Sequence, residues 1–149
     1  MKIFTENKKA YFNYQILEKF EAGMVLIGQE VKSIKQGRIN LAGSYVVLRE
    51  REAYLIGCHI PPYQPKNAPE DYTPERSRKL LLKKDELKYL IGKAAQKGLT
   101  LVPLRVYTKK GLIKLEFGVG KGLKKIDKKE MIKKRETERE IQRELKSRG

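Results

Sequence analysis

With 149 residues the chain has room for one ordinary domain and a terminal extension, and 34 Lys and Arg against 18 Asp and Glu leave a net charge of +16. That balance points to a polyanionic partner rather than a basic or neutral one. No run of about 18 apolar residues exists to span a bilayer and no apolar signal core follows Met1, so a cytoplasmic protein is expected.

In chain order, Asn7-Lys8-Lys9-Ala10-Tyr11-Phe12-Asn13-Tyr14 interleaves cations with rings. Cations neutralise phosphates and exposed rings stack on bases, so Lys8, Lys9, Tyr11 and Phe12 are candidate RNA contacts. The alternative is that Tyr14, and Phe12 with it, simply begin a strand and enter the core. From Tyr14 to Ile27 the even positions are apolar except Glu18, a period-two strand signal in which Gly23 offers a bend or bulge. Gln29–Gln36 then reads as a short helix with Val31 and Ile34 inward, Lys32 and Lys35 outward, and Gly37 placed to end it. Glu30 falls in its first turn. It is either a carboxylate favoured by the helix dipole or paired at the surface, or an acceptor for a base N–H donor that reads sequence where lysine–phosphate contacts cannot.

Ser44–Leu48 and Ala53–Ile60 predict a hairpin around Arg49-Glu50-Arg51-Glu52. The second of these strands carries Cys58 and His59, the chain's one cysteine and one histidine. One cysteine allows no internal disulfide, and adjacent residues of a strand point to opposite faces, so the pair makes neither a catalytic dyad nor a metal site. Five of the six prolines lie between Pro61 and Arg78, in a loop long enough to be functional or mobile. Lys79–Leu82 reads as a short buried strand. Asp85–Lys97 reads as a helix with Leu87, Leu90, Ile91, Ala94 and Ala95 on its inner face and Gly98 past its end. Leu99–Thr108 and Leu112–Val119 make a last hairpin around Lys109-Lys110-Gly111.

About six short strands with two or three helices, mainly in hairpins, predict a mainly β fold: a closed or partly closed antiparallel OB-like barrel over residues 1–120. Gly118-Val119-Gly120-Lys121-Gly122 matches neither phosphate-loop pattern and reads as a flexible hinge releasing the tail. No paired carboxylates and no nucleophile elbow stand out, so the chain is not expected to be an enzyme or to carry a metal or cofactor. Residues 121–149 hold twelve cations and six carboxylates for a net +6, leaving +10 on the body. Their apolar residues are too few and too badly spaced for a packed stripe. Such a segment is either disordered until it meets a polyanion or a solvated terminal helix.

Several long strings are familiar. Phe20-Glu21-Ala22-Gly23-Met24-Val25-Leu26-Ile27-Gly28-Gln29-Glu30-Val31-Lys32-Ser33-Ile34 closely resembles the FEAGIVLxGxEVKSLR segment of the small protein B (SmpB) family of SsrA-binding proteins. Asn7-Lys8-Lys9-Ala10 is similar to that family's NRKA, and Arg78-Lys79-Leu80-Leu81-Leu82 to its RKLLL. Lys97 to Leu104 is similar to KGLTLVPL, and Ile126-Asp127-Lys128-Lys129-Glu130 to YDKRE. The resemblance implies a monomeric, non-enzymatic RNA-binding protein of ribosome rescue. It implies an OB-like barrel that binds the tRNA-like domain of transfer-messenger RNA (tmRNA, or SsrA) where a tRNA would carry its anticodon stem. Delivery of alanyl-tmRNA with elongation factor Tu to stalled ribosomes would follow, and then tagging of the nascent peptide. The tail is expected to be unstructured when free and helical in the empty mRNA channel beside the decoding centre of the small subunit.

Carried over by position, Glu30, Lys32, Leu81 and Lys83 correspond to tmRNA contacts, with Lys83 standing at a common histidine or asparagine position and Phe12 at a common histidine. The tail set is Lys121, Lys124, Lys125, Ile126, Asp127, Lys128, Lys129, Lys133, Lys134 and Arg135. There Ile126 replaces the usual stacking aromatic, Lys129 replaces arginine, and Leu123 interrupts the family's GKK. The competing readings are a generic ribosome- or single-strand-binding module and, remotely, a nuclease.

Overall fold

A computed structural model describes residues 1–64, 66, 71–123 and 125–148, with the tail's side chains described at 132–143 and 145. Seven strands and four helices follow one another as β1 (Lys2–Glu6), α1 (Lys8–Asn13), β2 (Tyr14–Met24), α2 (Gly28–Lys35), β3 (Tyr45–Arg49), β4 (Glu52–Ile56), β5 (Arg78–Leu81), α3 (Lys84–Ala94), β6 (Leu99–Lys109), β7 (Leu112–Gly122) and α4 (Lys125–Arg148). Every strand pairing is antiparallel. The order β6-β3-β4-β5-β2-β7 returns to β6 through a long β6–β7 pairing, so six strands close into a ring and β1 lies outside it on β6. Closure leaves few unpaired edges.

The expected alternation holds along the long strands. Ile113, Leu115, Phe117 and Val119 of β7 point inward with Leu55, Leu80, Leu101 and Val106, while Ile34 from α2 and Leu90 from α3 complete the core. Phe20 stacks on Phe117 at 5.8 Å between centroids. The β3–β4 turn is tighter than expected. Its two central residues, Glu50 and Arg51, both adopt left-handed backbone (φ 50° and 63°), the geometry of a two-residue hairpin turn whose twist matches its strands.

Five expectations are corrected. Lys8–Asn13 is helical instead of leading directly into a strand, while the seven strands among the described residues, six in the ring and β1 outside it, agree with the expected number of about six. The irregularity in β2 falls between Ile16 and Glu18 and not at Gly23, which pairs regularly with Leu81 and Lys114. β4 stops at Ile56, four residues early, since Gly57 turns the chain with φ 73°. In α3 the inner face is narrow: Leu90 is buried and Leu87 packs on the core, but Ile91, Ala94 and Ala95 are exposed. Finally, Gly118 to Gly122 is no hinge. It is the paired end of β7, with Gly118 opposite Lys19 and Gly122 opposite Tyr14.

Candidate nucleic-acid interface

β2 separates the expected RNA contacts into two groups. α1 runs directly into Tyr14 at one end of the strand, whereas Leu81 pairs with Gly23 nine residues further on. At the rise of an extended chain the two groups stand about 30 Å apart.

At the first end, Asn7 fixes the start of α1. Its backbone N–H bonds the Leu104 carbonyl at 2.7 Å and its side-chain amide bonds the Pro103 carbonyl at 3.0 Å. Ala10 is the small residue that lets the helix sit down on Val102 and Leu104, with Tyr11, Tyr14 and Ile16 packed around them. Lys8, Lys9 and Phe12 are left on the outside, Phe12 at 47% exposure. Tyr11 is half-buried, and Lys19 Nζ lies 5.5 Å from its ring centre, a cation–π contact that occupies one face. The tail leaves from the same end: Leu123 N–H bonds the Asn13 carbonyl at 3.0 Å, and Arg135 donates to the Tyr11 carbonyl at 3.3 Å. A groove of about 380 Å³ between Asn7, Lys9, Asn13, Tyr45 and Leu123 opens here.

The second end is built from α2, β5 and the start of α3. Lys32 and Lys35 are exposed on the outer face of α2. Leu81 projects at 55% exposure from the end of β5, and Lys83 is the exposed N-cap residue of α3. A groove of about 350 Å³ lies among Met24, Val31, Lys35, Leu81, Leu112 and Lys114. An apolar floor between cations suits an unstacked base with its phosphate, because the ring is covered while the charge is neutralised. Lys35 and Lys114 were not singled out from the sequence; their joint position depends on how α2 meets the β6–β7 turn.

Glu30 is the principal correction. It is not at the surface: its side chain is completely buried and saturated. Oε1 accepts from the Ile27 N–H at 3.1 Å and from Arg76 Nη2. Oε2 accepts from Arg78 Nε at 2.8 Å, Arg76 Nε at 3.1 Å and the Tyr72 hydroxyl at 3.3 Å. Arg78 is equally buried, and its remaining donors reach the carbonyls of Cys58 (2.5 Å) and Pro74 (2.7 Å). Burial by itself raises the Glu30 carboxyl, but the bonds from Arg76, the Ile27 N–H and Arg78 outweigh it and hold it below the usual carboxylate range. Its stabilising effect is therefore present above that range and is lost as the pH falls through the lowered value. No lone pair is left for a base donor. The partners lie 46 and 48 residues downstream, so no local pattern announces them.

Cys58, two residues past the end of β4, is a buried thiol; burial pushes it up to about 12, with Arg78 opposing. His59 instead faces outward and pairs with Glu75 at 2.5 Å. Among the described residues, no three His, Cys, Asp or Glu side chains are grouped to hold a metal. In the tail, Lys121 is the exposed penultimate residue of β7. Lys124 lies outside the described residues, as do the side chains of Lys125, Ile126, Asp127, Lys128 and Lys129, whose backbone belongs to α4. Lys133, Lys134 and Arg135 are exposed on that helix. No described helix is long and apolar enough to cross a membrane.

Comparison with known proteins accounts for this arrangement. The sequence profile of the family described as SmpB protein matches residues 4–147. An SsrA-binding protein of Trichormus variabilis is 48% identical over 146 residues, spanning 98% of this chain and 94% of its own. One from Thermosynechococcus vestitus is 45% identical over 148 residues, spanning 99% and 97%. Among solved structures, a chain described under "tmRNA-SmpB: a journey to the center of the bacterial ribosome" superposes with a TM-score of 0.67 at 42% identity, covering 86% of this chain and 93% of that one. A closed antiparallel ring with a basic surface and a basic terminal helix, matched over body and tail alike, places the chain in the SmpB family.

Proposed function

We propose that this chain is a tmRNA-binding protein of trans-translation that works on the ribosome and is not an enzyme. The observation that carries the reading is the extent of the family match: residues 4–147 include the closed ring, both ends of β2 and nearly all of α4. In this reading the tRNA-like domain of tmRNA lies against the body, with Lys32, Leu81 and Lys83 at one end of β2 and Lys8, Lys9, Tyr11 and Phe12 at the other. Delivery of alanyl-tmRNA with elongation factor Tu belongs to the same proposal, as do a cytoplasmic setting and a monomeric protein. So does entry of α4 into the empty mRNA channel, where Lys121, Lys124, Lys125, Lys128, Lys129, Lys133, Lys134 and Arg135 meet RNA phosphates and Ile126 and Asp127 lie next to the decoding centre.

Co-purification tests it. The chain, isolated from cells with its RNA, is expected to carry one dominant species with a tRNA-like end. A mixture of RNAs would instead indicate a generic binding module, and cleavage products a nuclease. Affinity for that RNA should also fall steeply with added salt, the log–log slope being about −0.7 to −0.9 per phosphate neutralised. A flat response in filter binding would contradict the electrostatic account.

A further inference from the structure

The buried cluster around Glu30 has a position that its chemistry alone does not explain. It joins the inner face of α2 to the inner face of β5. Each of those elements carries an expected RNA contact on its other side. Glu30 and Lys32 are two residues apart, roughly 200° around a helix, so one is buried and the other exposed. Along β5 burial alternates from Arg78 to Leu81, which puts Arg78 inside and Leu81 outside, about 10 Å along the strand. The ion pair therefore sets the distance and angle between the α2 cations and Leu81. α2 needs such a tie: at eight residues it is too short to hold itself, and its side-chain burial rests on Ile34 and Ser33 besides Glu30.

The same cluster also secures the proline-rich loop beside that surface. Tyr72 donates to the Ile60 carbonyl at 2.7 Å, Ile60 N–H bonds the Pro74 carbonyl at 3.0 Å, and Ser33 Oγ donates to the Pro61 carbonyl at 2.8 Å. Lys32 Nζ lies 5.7 Å from the ring centre of Tyr63, a residue of that loop. Described loop residues are thus attached to α2 at several points, and Arg76, at 32% side-chain exposure, closes the cluster from outside. A fully buried ion pair is an inefficient way to gain stability over a well-packed apolar pair, but it fixes one geometry, because each charge tolerates only its own partner.

We infer that Glu30, Arg76, Arg78 and Tyr72 are positioning residues for tmRNA recognition: they hold α2 and β5 at the spacing that lets Lys32, Lys35 and Leu81 engage one folded RNA, without touching it. The inference rests on the proposed tmRNA-binding function. It assigns Glu30 a role in discrimination through geometry, in place of a direct contact with a base.

The test uses the full-length chain and two partial disruptions that leave Glu30 and Arg78 paired. Tyr72→Phe removes the hydroxyl shared by Glu30 and the Ile60 carbonyl, and Arg76→Lys keeps the charge but loses the planar fork that grips both carboxylate oxygens. Each variant is expected to melt close to the parent and to bind random RNA of equal length as the parent does. Affinity for tmRNA should fall about five- to tenfold, the scale of one ordinary hydrogen bond, with faster amide exchange across 28–35 and 78–81. If Arg76→Lys binds tmRNA like the parent while Arg76→Gln does not, Arg76 is a phosphate contact and the inference fails. Equal losses for both RNAs, or no loss for tmRNA, would also overturn it. A parent chain that cannot tell tmRNA from random RNA would instead refute the proposed function itself.

Discussion

Cutting the chain after Leu123 is expected to leave tmRNA affinity within about threefold of the intact chain while abolishing peptide tagging on stalled ribosomes. The cut belongs at that point and not after residue 120, because Lys121 and Gly122 pair with Gln15 and Tyr14 in β2 and Leu123 bonds Asn13. Residues 1–123 keep a net charge of +11, so the electrostatic attraction for RNA resides mostly in the body. The tail contributes little to the fold either. Every described side chain from 132 to 143, and Leu145, is exposed, including Ile132, Ile141 and Leu145, and the described tie to the body from within α4 is the Arg135–Tyr11 bond. A helix whose described side chains are all exposed draws its stability there from propensity and neighbouring charge pairs, which is marginal in water. In the proposed function its surroundings supply the rest, as a channel lined with phosphates would. Filter binding reads the first half of the prediction and tagging of a chain stalled on a message without a stop codon reads the second. Loss of more than tenfold in tmRNA affinity, or tagging that survives the cut, would show that body and tail do not divide the work in this way.

What could be read in advance follows from the range of the forces involved. Period-two alternation is local, so β6, β7 and most of β2 are visible in the sequence to within a few residues, and the inward set of Ile113, Leu115, Phe117 and Val119 with them. Closure of the ring is less direct: a run of hairpins is compatible with a closed or a partly closed barrel, and the β2–β7 and β6–β7 pairings that close it join strands far apart in the chain or depend on the whole sheet's curvature. Short elements resist such reading. α1 spans six residues and owes its helical form to Ala10 seating on Val102 and Leu104, more than ninety residues away. β1 exists because β6 offers it an edge. Glu30 shows the same limit at the interface: a carboxylate among lysines reads as exposed until Arg76 and Arg78 are brought back to it by β5. Lys8, Lys9 and Lys32 are found at the surface because the chemistry of a lysine suffices to put them there, whereas Leu81, in a stretch that reads as a buried strand, is exposed because β5 turns Arg78 and Leu80 inward and leaves Lys79 and Leu81 outside.

The glycines of β7 give the second large effect, and here propensity and structure predict opposite signs. By propensity Gly118→Val should strengthen a strand, since valine favours the pleated surface and glycine weakens it. In the folded chain a Cβ on Gly118 would lie 2.7 Å from Ile16 Cγ2, 3.0 Å from the Glu18 carbonyl oxygen and 3.3 Å from Leu104 Cδ1. Two of those atoms belong to the irregular stretch of β2 between Ile16 and Glu18, where the pairing with β7 shifts register. β2 approaches closely at that point because nothing stands on Gly118. The carbonyl is main chain and cannot rotate away, so valine must push β2 off β7 at a junction that closes the ring. Overpacking of this kind costs about 1–3 kcal/mol, which for a body of this size lowers the melting temperature by roughly 4–12 °C. Gly122→Val meets nothing within 4 Å and serves as the control on the same strand. It should melt within about 2 °C of the parent, as surface substitutions do. Thermal melts of the two variants decide the matter: a Gly118→Val chain as stable as the parent would mean that β2 and β7 are not held this close, and the flexible reading of the glycine run would stand after all.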